Sequence, residues 1–512
     1  MADPTFPWLS VAAAVPAVGA LAVAAVPRGR EEAAKRLAVL TSLVVLALVI
    51  AVGLQFDRHS SARFQFTELH SWIPSLGVSY ALGIDGISLV LLALTAVLTP
   101  VCLLASWHLA EDRTARQQSF FSLLLLVEAL LVLVFSASDV FLFYVAFEFS
   151  LIPMYFVIGG FGGAQRSYAA VKFLIYSLLG GLLMLAAVIG TYVAGPGGER
   201  GFLRTTLESA HLDPTTQRWL FLGFMAAFAI KAPLWPLHTW LPDAAAEAPP
   251  GGAVMLVGVL DKIGTYGMIA YCLPLFPQAS IWARPVVITL AVIGILYGAL
   301  VAIGQADIIR LVAYTSISHF GFIALGIFAM TTQAQSGATL YMLSHGFSTA
   351  GLFLVAGMLV ARRGSRRIAD FGGVQTVAPI LAGVLLASGL SSLALPGFSS
   401  FVSEFLVLLG TFQRYTAVAV IAVLAIVLAA LYILILFQRT MTGPVADGVR
   451  GMPDLVAREA WVVAPVLALL LGLGVVPQVV LDVVNPAVAR TMQSVGQHDP
   501  TPALGPAEGA SK

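Results

Sequence analysis

Charge is scarce in this sequence. Of 512 residues only 10% are Asp, Glu, Lys or Arg, while 59% are hydrophobic. A soluble domain carries about 25% charged residues, and a chain this long with so few could not cover its surface against water. That shortage excludes a soluble enzyme, a nucleic-acid binder and a disordered protein. With a mean hydropathy of +0.93, the composition is that of an all-α, polytopic membrane protein. An excess of either sign is also missing: the net charge is +1, so no basic surface speaks for nucleic acid. Cysteine is nearly absent. Cys102 and Cys272 both lie in apolar runs, where they read as small buried hydrophobes rather than a CxxC pair or a four-ligand metal site. There is no Walker lysine loop and no dinucleotide fingerprint. The chain is therefore expected to hold no metal and no cofactor, and any redox group would belong to a partner.

What is abundant is apolar runs. A bilayer core of about 30 Å takes about 20 residues of helix, and the chain offers fourteen such runs: 9–26, 37–54, 86–107, 119–135, 140–160, 173–193, 219–237, 251–273, 285–304, 309–330, 338–361, 378–410, 416–437 and 460–481. The first is not read as a signal peptide, because no basic segment precedes it and Asp3 is acidic. Sixteen Lys/Arg fall in loops on the side of Arg28–Arg36 and nine on the other. By the positive-inside rule the first side is cytoplasmic and both termini lie outside.

Two cations belong to neither side: Lys231 and Lys262 fall within spans, while every arginine lies in or at the edge of a loop. Arginine stays charged in proteins, whereas a buried lysine can lose its proton. A lysine at mid-helix costs about 2.5–3.5 kcal/mol on insertion scales, and Lys262 is too deep in its run to snorkel easily. Glu148 and Glu404 sort the same way, each in an otherwise nearly uncharged stretch. His238, His319 and His345 lie in or at the end of spans, and an imidazole can both take and give a proton near neutrality. Together these seven residues read as a proton relay. Asp261 and Glu128 are also within spans; each is open between a partner for a neighbouring helix and a titrating group.

Two spans are interrupted, one at Lys231-Ala232-Pro233-Leu234-Trp235-Pro236 and one at Leu395-Pro396-Gly397-Phe398. Proline removes a helix donor, and freed backbone groups at membrane depth are tolerated only in protein interiors or wet cavities. Spans four to eight (119–273) and nine to thirteen (285–437) each have the broken helix fourth, and a titratable group, Glu148 or His319, in the second. Five is odd, so consecutive five-helix units enter the membrane from opposite sides, an inverted repeat. The expected domains are three N-terminal spans (1–118), the two repeats, a loop with a last span (438–484), and a short mobile tail (485–512).

The stretches Ala146-Phe147-Glu148-Phe149-Ser150-Leu151-Ile152-Pro153-Met154-Tyr155, Lys231 to Ala244 (KAPLWPLHTWLPDA) and Ala313-Tyr314-Thr315-Ser316-Ile317-Ser318-His319 resemble the antiporter-like membrane subunits of NADH:quinone oxidoreductase, respiratory complex I. The resemblance covers nearly all of the chain and extends to the Mrp-type sodium/proton antiporters. Ser403-Glu404 after the second break resembles the M, or chain 4, type; the sister types typically carry lysine there. Nor does sequence for a long lateral C-terminal helix, as in the L type, follow Leu481.

The resemblance implies a proton-translocating subunit of a translocase, without a redox centre of its own, acting in the respiratory electron-transport chain. NADH, FMN, iron–sulfur clusters and quinone would sit in partner subunits, among them sister antiporter-like subunits. Glu148 and Lys231 would form the gating ion pair, Lys262 the central carrier, His319 and His345 the bridge, and Glu404 the exit-side acid. The family's stretch after the central lysine usually ends in arginine, where this chain has Ala270, and Asp261 is unusual beside that lysine. Preference for Arg over Lys and abundant Ala suggest a GC-rich bacterial genome, hence a plasma membrane. Three other readings stay open: an Mrp-type antiporter subunit, a quinone-processing enzyme, and a structural membrane spacer, which would tolerate Leu or Met at the intramembrane lysines.

Overall fold

The computed structural model describes residues 6–108 and 117–500; the expectations resting on Asp3, Arg113, Arg116, Lys512 and the rest of 501–512 fall outside them. Among the described residues, twelve helices are long and apolar enough to span a bilayer: α1 (Trp8–Ala25), α2 (Glu31–Gln55), α3 (Gly86–Ala105), α4 (Gln117–Ser136), α5 (Val140–Phe161), α6 (Arg166–Ala194), α8 (Pro250–Leu275), α9 (Pro277–Ile303), α10 (Ile308–Phe328), α11 (Thr332–Arg363), α13 (Thr416–Met441) and α14 (Ala457–Val475). Two more segments are broken: α7a (Pro214–Lys231) with α7b (Leu241–Glu247), and α12a (Pro379–Ser392) with α12b (Ser399–Arg414). These twelve helices and the two proline-broken segments match the fourteen apolar runs, and the proline breaks fall in the seventh and twelfth.

The helices sort by burial. α8, α10 and α11 are enclosed almost completely, whereas α2, α13 and α14 leave most of their apolar surface outward. A helix hydrophobic all round is a core helix or a lipid-facing one, and this fold has both. The central three helices carry Lys262, His319 and His345 respectively, so these three candidate relay residues sit in the best-shielded part of the molecule.

Two features depart from the sequence-based expectation. Gln65–Ile73 and Val78–Ile84 pair as an antiparallel hairpin, β1 and β2, turning at Gly77 (φ +71°). The segment expected to be a mobile tail from residue 485 is helical as far as Val495: α15 (Gln478–Val495) buries Val480, Val484, Ala487, Val488 and Met492. Its apolar residues recur at three- and four-residue spacing, which gives one face to pack. It lies against α3 so closely that a Cβ on Gly86 would meet the Val483 carbonyl.

Candidate functional site

Several of the candidate residues sit at a flaw in their helix: Glu148, Lys231, Lys262 and Glu404. α5 is interrupted at Ser150, whose hydroxyl donates to the Phe147 carbonyl at 2.6 Å; Pro153 removes a donor just beyond. Glu148, half-buried, stands on the turn before that interruption. Its carboxylate occupies the space that the absent side chain of Gly181 on α6 leaves open: a Cβ there would lie 1.5 Å from Glu148 Oε1. Only glycine permits this approach.

Lys231 is the last residue of α7a and has no solvent exposure. Pro233 and Pro236 stop the helix, and the carbonyl of Ile230 is taken up by the buried indole of Trp240, Nε1 to O 2.9 Å. The ammonium has no hydrogen-bond partner. It lies over the rings of Phe173 and Phe147, 5.1 and 5.9 Å from their centroids, where ring quadrupoles offset part of the lost hydration. The expected ion pair with Glu148 is not closed: Glu148 Oε1 and Lys231 Nζ are both unpartnered.

Lys262 lies in α8 between two π-helical stretches, Val254–Leu260 and Met268–Cys272. Such widened turns are rare and concentrate at functional sites. Here the widening leaves the Val257 carbonyl to accept from Lys262 Nζ at 2.7 Å. The same nitrogen lies 2.7 Å from His345 Nδ1 and 4.8 Å from the centre of the Phe320 ring. The lysine, with no solvent exposure, is held by one carbonyl, one imidazole and one ring.

From there a continuous run of proton-capable groups crosses the second half. The His345 and His319 rings are 5.2 Å apart, edge to face, and His319 lies 5.8 Å from Tyr341. The Tyr341 hydroxyl donates to Glu404 Oε2 at 3.2 Å. Glu404, 5% exposed, is in the second turn of α12b, just past the second break. His345 Nε2 and His319 Nδ1 have no partner, which leaves each imidazole a free site for an incoming or outgoing proton. Tyr341 was not among the residues that the sequence singled out. Its one signal is its place a helical turn before His345 on α11, the spacing that puts two side chains on one face.

His238 lies apart from this run. It sits in the loop between α7a and α7b, buried, with Nδ1 unpartnered and its ring 5.0 Å from Tyr297. Glu128 and Asp261 are both fully buried and all four carboxylate oxygens lack partners. Glu128 faces the α3 segment that holds Thr99 and Cys102.

Two charged clusters flank the run near the membrane surfaces. On the side of the α9–α10 loop, Asp243 of α7b accepts from Lys172 of α6 at 2.7 Å and from Arg310 of α10 at 2.6 Å. Arg366 holds both Glu247 and Asp307. Asp243, Glu247, Asp307, Arg310 and Arg366 line a cavity of about 320 Å³. At the opposite end, Asp85 caps α3 and pairs with Arg63, which also holds Glu208. Burial would raise the Asp85 carboxyl, but Arg63, Arg204, the Ser88 amide and Arg490 outweigh it and hold it below the usual carboxylate range. Beside it the buried Arg204 donates to the Ala270 carbonyl at 2.7 Å and stacks on Tyr271 and Phe64. A guanidinium from a different segment thus contacts the backbone at Ala270.

Among the described residues no group of three or more His, Cys, Asp or Glu could hold a metal ion.

Comparison with known proteins places this geometry among relatives. Residues 137–429 match the family described as NADH:quinone oxidoreductase/Mrp antiporter, TM, and residues 38–134 match NADH-ubiquinone oxidoreductase chain 4, amino terminus. NADH-quinone oxidoreductase subunit M of Mycobacterium tuberculosis is 53% identical, over 99% of this chain and 98% of that one. Subunit M of Rhodobacter capsulatus is 39% identical over 95% and 96%. Among solved structures, a chain of respiratory complex I from Thermus thermophilus superposes with a TM-score of 0.86 at 32% identity, covering 96% of this chain and all of that one. A chain of the Mrp complex from a Dietzia species gives 0.82 at 23% identity, a likeness of fold alone.

Proposed function

Because the chain belongs to the NADH:quinone oxidoreductase and Mrp antiporter family of membrane subunits, in its chain 4 (subunit M) branch, we propose that it carries protons along the membrane plane through Glu148, Lys231, Lys262, His345, His319 and Glu404. It is a subunit of a translocase, and the energy comes from quinone reduction elsewhere in the complex. NADH, FMN, iron–sulfur clusters and quinone are bound by partner subunits, and sister antiporter-like subunits flank it in a bacterial plasma membrane, with both termini outside. Residues 119–273 and 285–437 act as two inverted five-helix units, each hinged at its broken fourth helix. The breaks in the seventh and twelfth segments support that division.

The single observation that carries the reading is the run Lys262–His345–His319–Tyr341–Glu404, whose members lie in contact or near contact inside a shielded core. The physical requirement is bistability. With Glu148 charged and close, Lys231 is held as ammonium; with the pair separated, as here, the buried charge loses part of its support and the proton moves on. Moving one charge across 100 mV takes about 2.3 kcal/mol, and one unit of proton affinity is worth about 1.36 kcal/mol. Swings of about two units per site are enough, within the range that buried groups reach.

The Mrp-type alternative shares the fold, but its structural relative is 23% identical against 53% and 39% for the subunit M relatives. Proton pumping driven by NADH oxidation, measured on vesicles with the assembled complex carrying Glu148→Gln or Lys231→Ala, tests the assignment. Pumping is expected to fall severely at normal assembly. Unchanged pumping would defeat the roles given to these two residues.

A further inference from the structure

Between the two lysines stands a carboxylate that the relay described above does not use. Asp261 precedes Lys262 in α8 and has no solvent exposure; neither of its oxygens has a hydrogen-bond partner. A carboxyl so placed is among the costliest groups a fold can bury, and structural carboxylates are normally hydrogen-bonded or paired. Adjacent helix positions point in different directions. Lys262 turns toward Val257 and His345, so Asp261 turns elsewhere.

Its direction follows from the helix face it shares. Gly264 and Gly267 lie one and two turns further along α8. A Cβ at Gly264 would fall 2.5 Å from the Ala232 amide nitrogen and 2.6 Å from the Phe228 carbonyl; one at Gly267 would fall within 2.6 Å of the Phe228 ring. These two glycines press α8 against the end of α7a, where Lys231 immediately precedes Ala232. Asp261, on the same face as Gly264 at three-residue spacing, is brought to the Lys231 side. The through-space interactions agree: the Lys231 ammonium feels both Asp261 and Glu148, and Asp261 feels both Lys231 and Lys262.

We propose that Asp261 is the proton carrier between Lys231 and Lys262, joining the first half of the relay to its centre. The proposal rests on the relay reading above and supplies its missing link. An N–H bond of the Lys231 ammonium breaks as an O–H bond forms on the Asp261 carboxylate. That O–H then breaks as an N–H forms on neutral Lys262, and the carboxylate is restored. One proton moves and nothing is oxidised or reduced. Because neither oxygen is bonded to an ammonium, each transfer needs a swing of the side chain or an intervening water, and the carboxyl serves one lysine at a time. Two buried ammoniums would otherwise repel each other across this gap; a single negative charge between them stabilises whichever is protonated.

The test compares Asp261→Asn and Asp261→Glu in the whole assembled complex, with NADH-driven pumping measured in vesicles and assembly checked by native electrophoresis. Asp261→Asn keeps the shape and loses the exchangeable proton; it is expected to assemble and to lower pumping at least tenfold, while Asp261→Glu restores most of it. Wild-type pumping in Asp261→Asn, alongside a severe loss in Lys231→Ala, would overturn this proposal and leave the relay standing. Wild-type pumping in both would overturn the relay itself. Should Asp261→Asn fail to assemble, redox-triggered infrared difference spectra of the wild type and Asp261→Glu decide. A carboxyl C=O band that moves between them supports the proposal, and the absence of any such band overturns it.

Discussion

At the scale of single residues, the informative contrast is between lysine and arginine. Arginine cannot give up its proton in a protein, and the sequence keeps it at the edges of the membrane; the two lysines within spans are wholly enclosed. Position in the sequence was enough to single out Lys231, Lys262, Glu148 and Glu404 as candidates, because an ionisable group in an apolar run is costly to bury. Tyr341 was illegible for the opposite reason: a tyrosine in an apolar helix is ordinary core, and only the fold brings its hydroxyl to Glu404. Tyr341→Phe removes that hydroxyl and nothing else. Pumping is expected to fall several-fold at normal assembly, less than for loss of Glu404, since a water can replace one hydroxyl in a chain. Pumping at the wild-type rate would take Tyr341 out of the path.

At the scale of elements, four of the ionisable groups stand where helices fail: Glu148 at the Ser150 interruption, Lys231 at the end of α7a, Lys262 between π-helical stretches, Glu404 past the second break. The prolines made both breaks legible in advance. The π-helical stretches left no comparable mark, because Val254–Leu260 and Met268–Cys272 read as uninterrupted helix. The β1–β2 hairpin left no mark among the membrane-length runs, because its strands are far shorter than a span. One contact between elements gives a sharp expectation. Gly181 on α6 makes room for the Glu148 carboxylate, and a methyl group there would displace it. Gly181→Ala is expected to lower pumping nearly as far as Glu148→Gln does, with the complex assembled. Normal pumping in Gly181→Ala would mean that the carboxylate functions from another position.

At the scale of the whole molecule, charged clusters near the two surfaces tie distant segments together. Asp243 joins α6, α7b and α10, and Asp85 joins the start of α3 to Arg63, which also holds Glu208. Such long-range pairing has no local signature, so it was invisible in the sequence; the guanidinium of Arg204 at the Ala270 carbonyl is the clearest case. Asp85 separates two contributions. Asp85→Asn keeps an N-cap side chain but loses the charge. Asp85→Ala loses the cap as well, worth about 1 kcal/mol. In detergent, thermal unfolding is expected at the highest temperature for wild type, then Asn, then Ala; equal values would contradict the assignment. Because the folded carboxyl is held below its ordinary value, its stabilisation is complete at neutral pH. It shrinks as pH falls below about 3.9, the unperturbed aspartate value, and the wild-type advantage over Asp85→Asn should shrink with it.

The measurement that bears most directly on the whole account is the rate of proton uptake or release per assembled complex, driven by NADH oxidation, when Lys262 is replaced by Met. That substitution keeps an unbranched side chain and leaves no titrating nitrogen beside His345. The account predicts that most of the pumping, and the NADH oxidation coupled to it, is lost while assembly is unchanged. Full pumping with methionine at this position would show that no proton needs to pass through the centre of the chain.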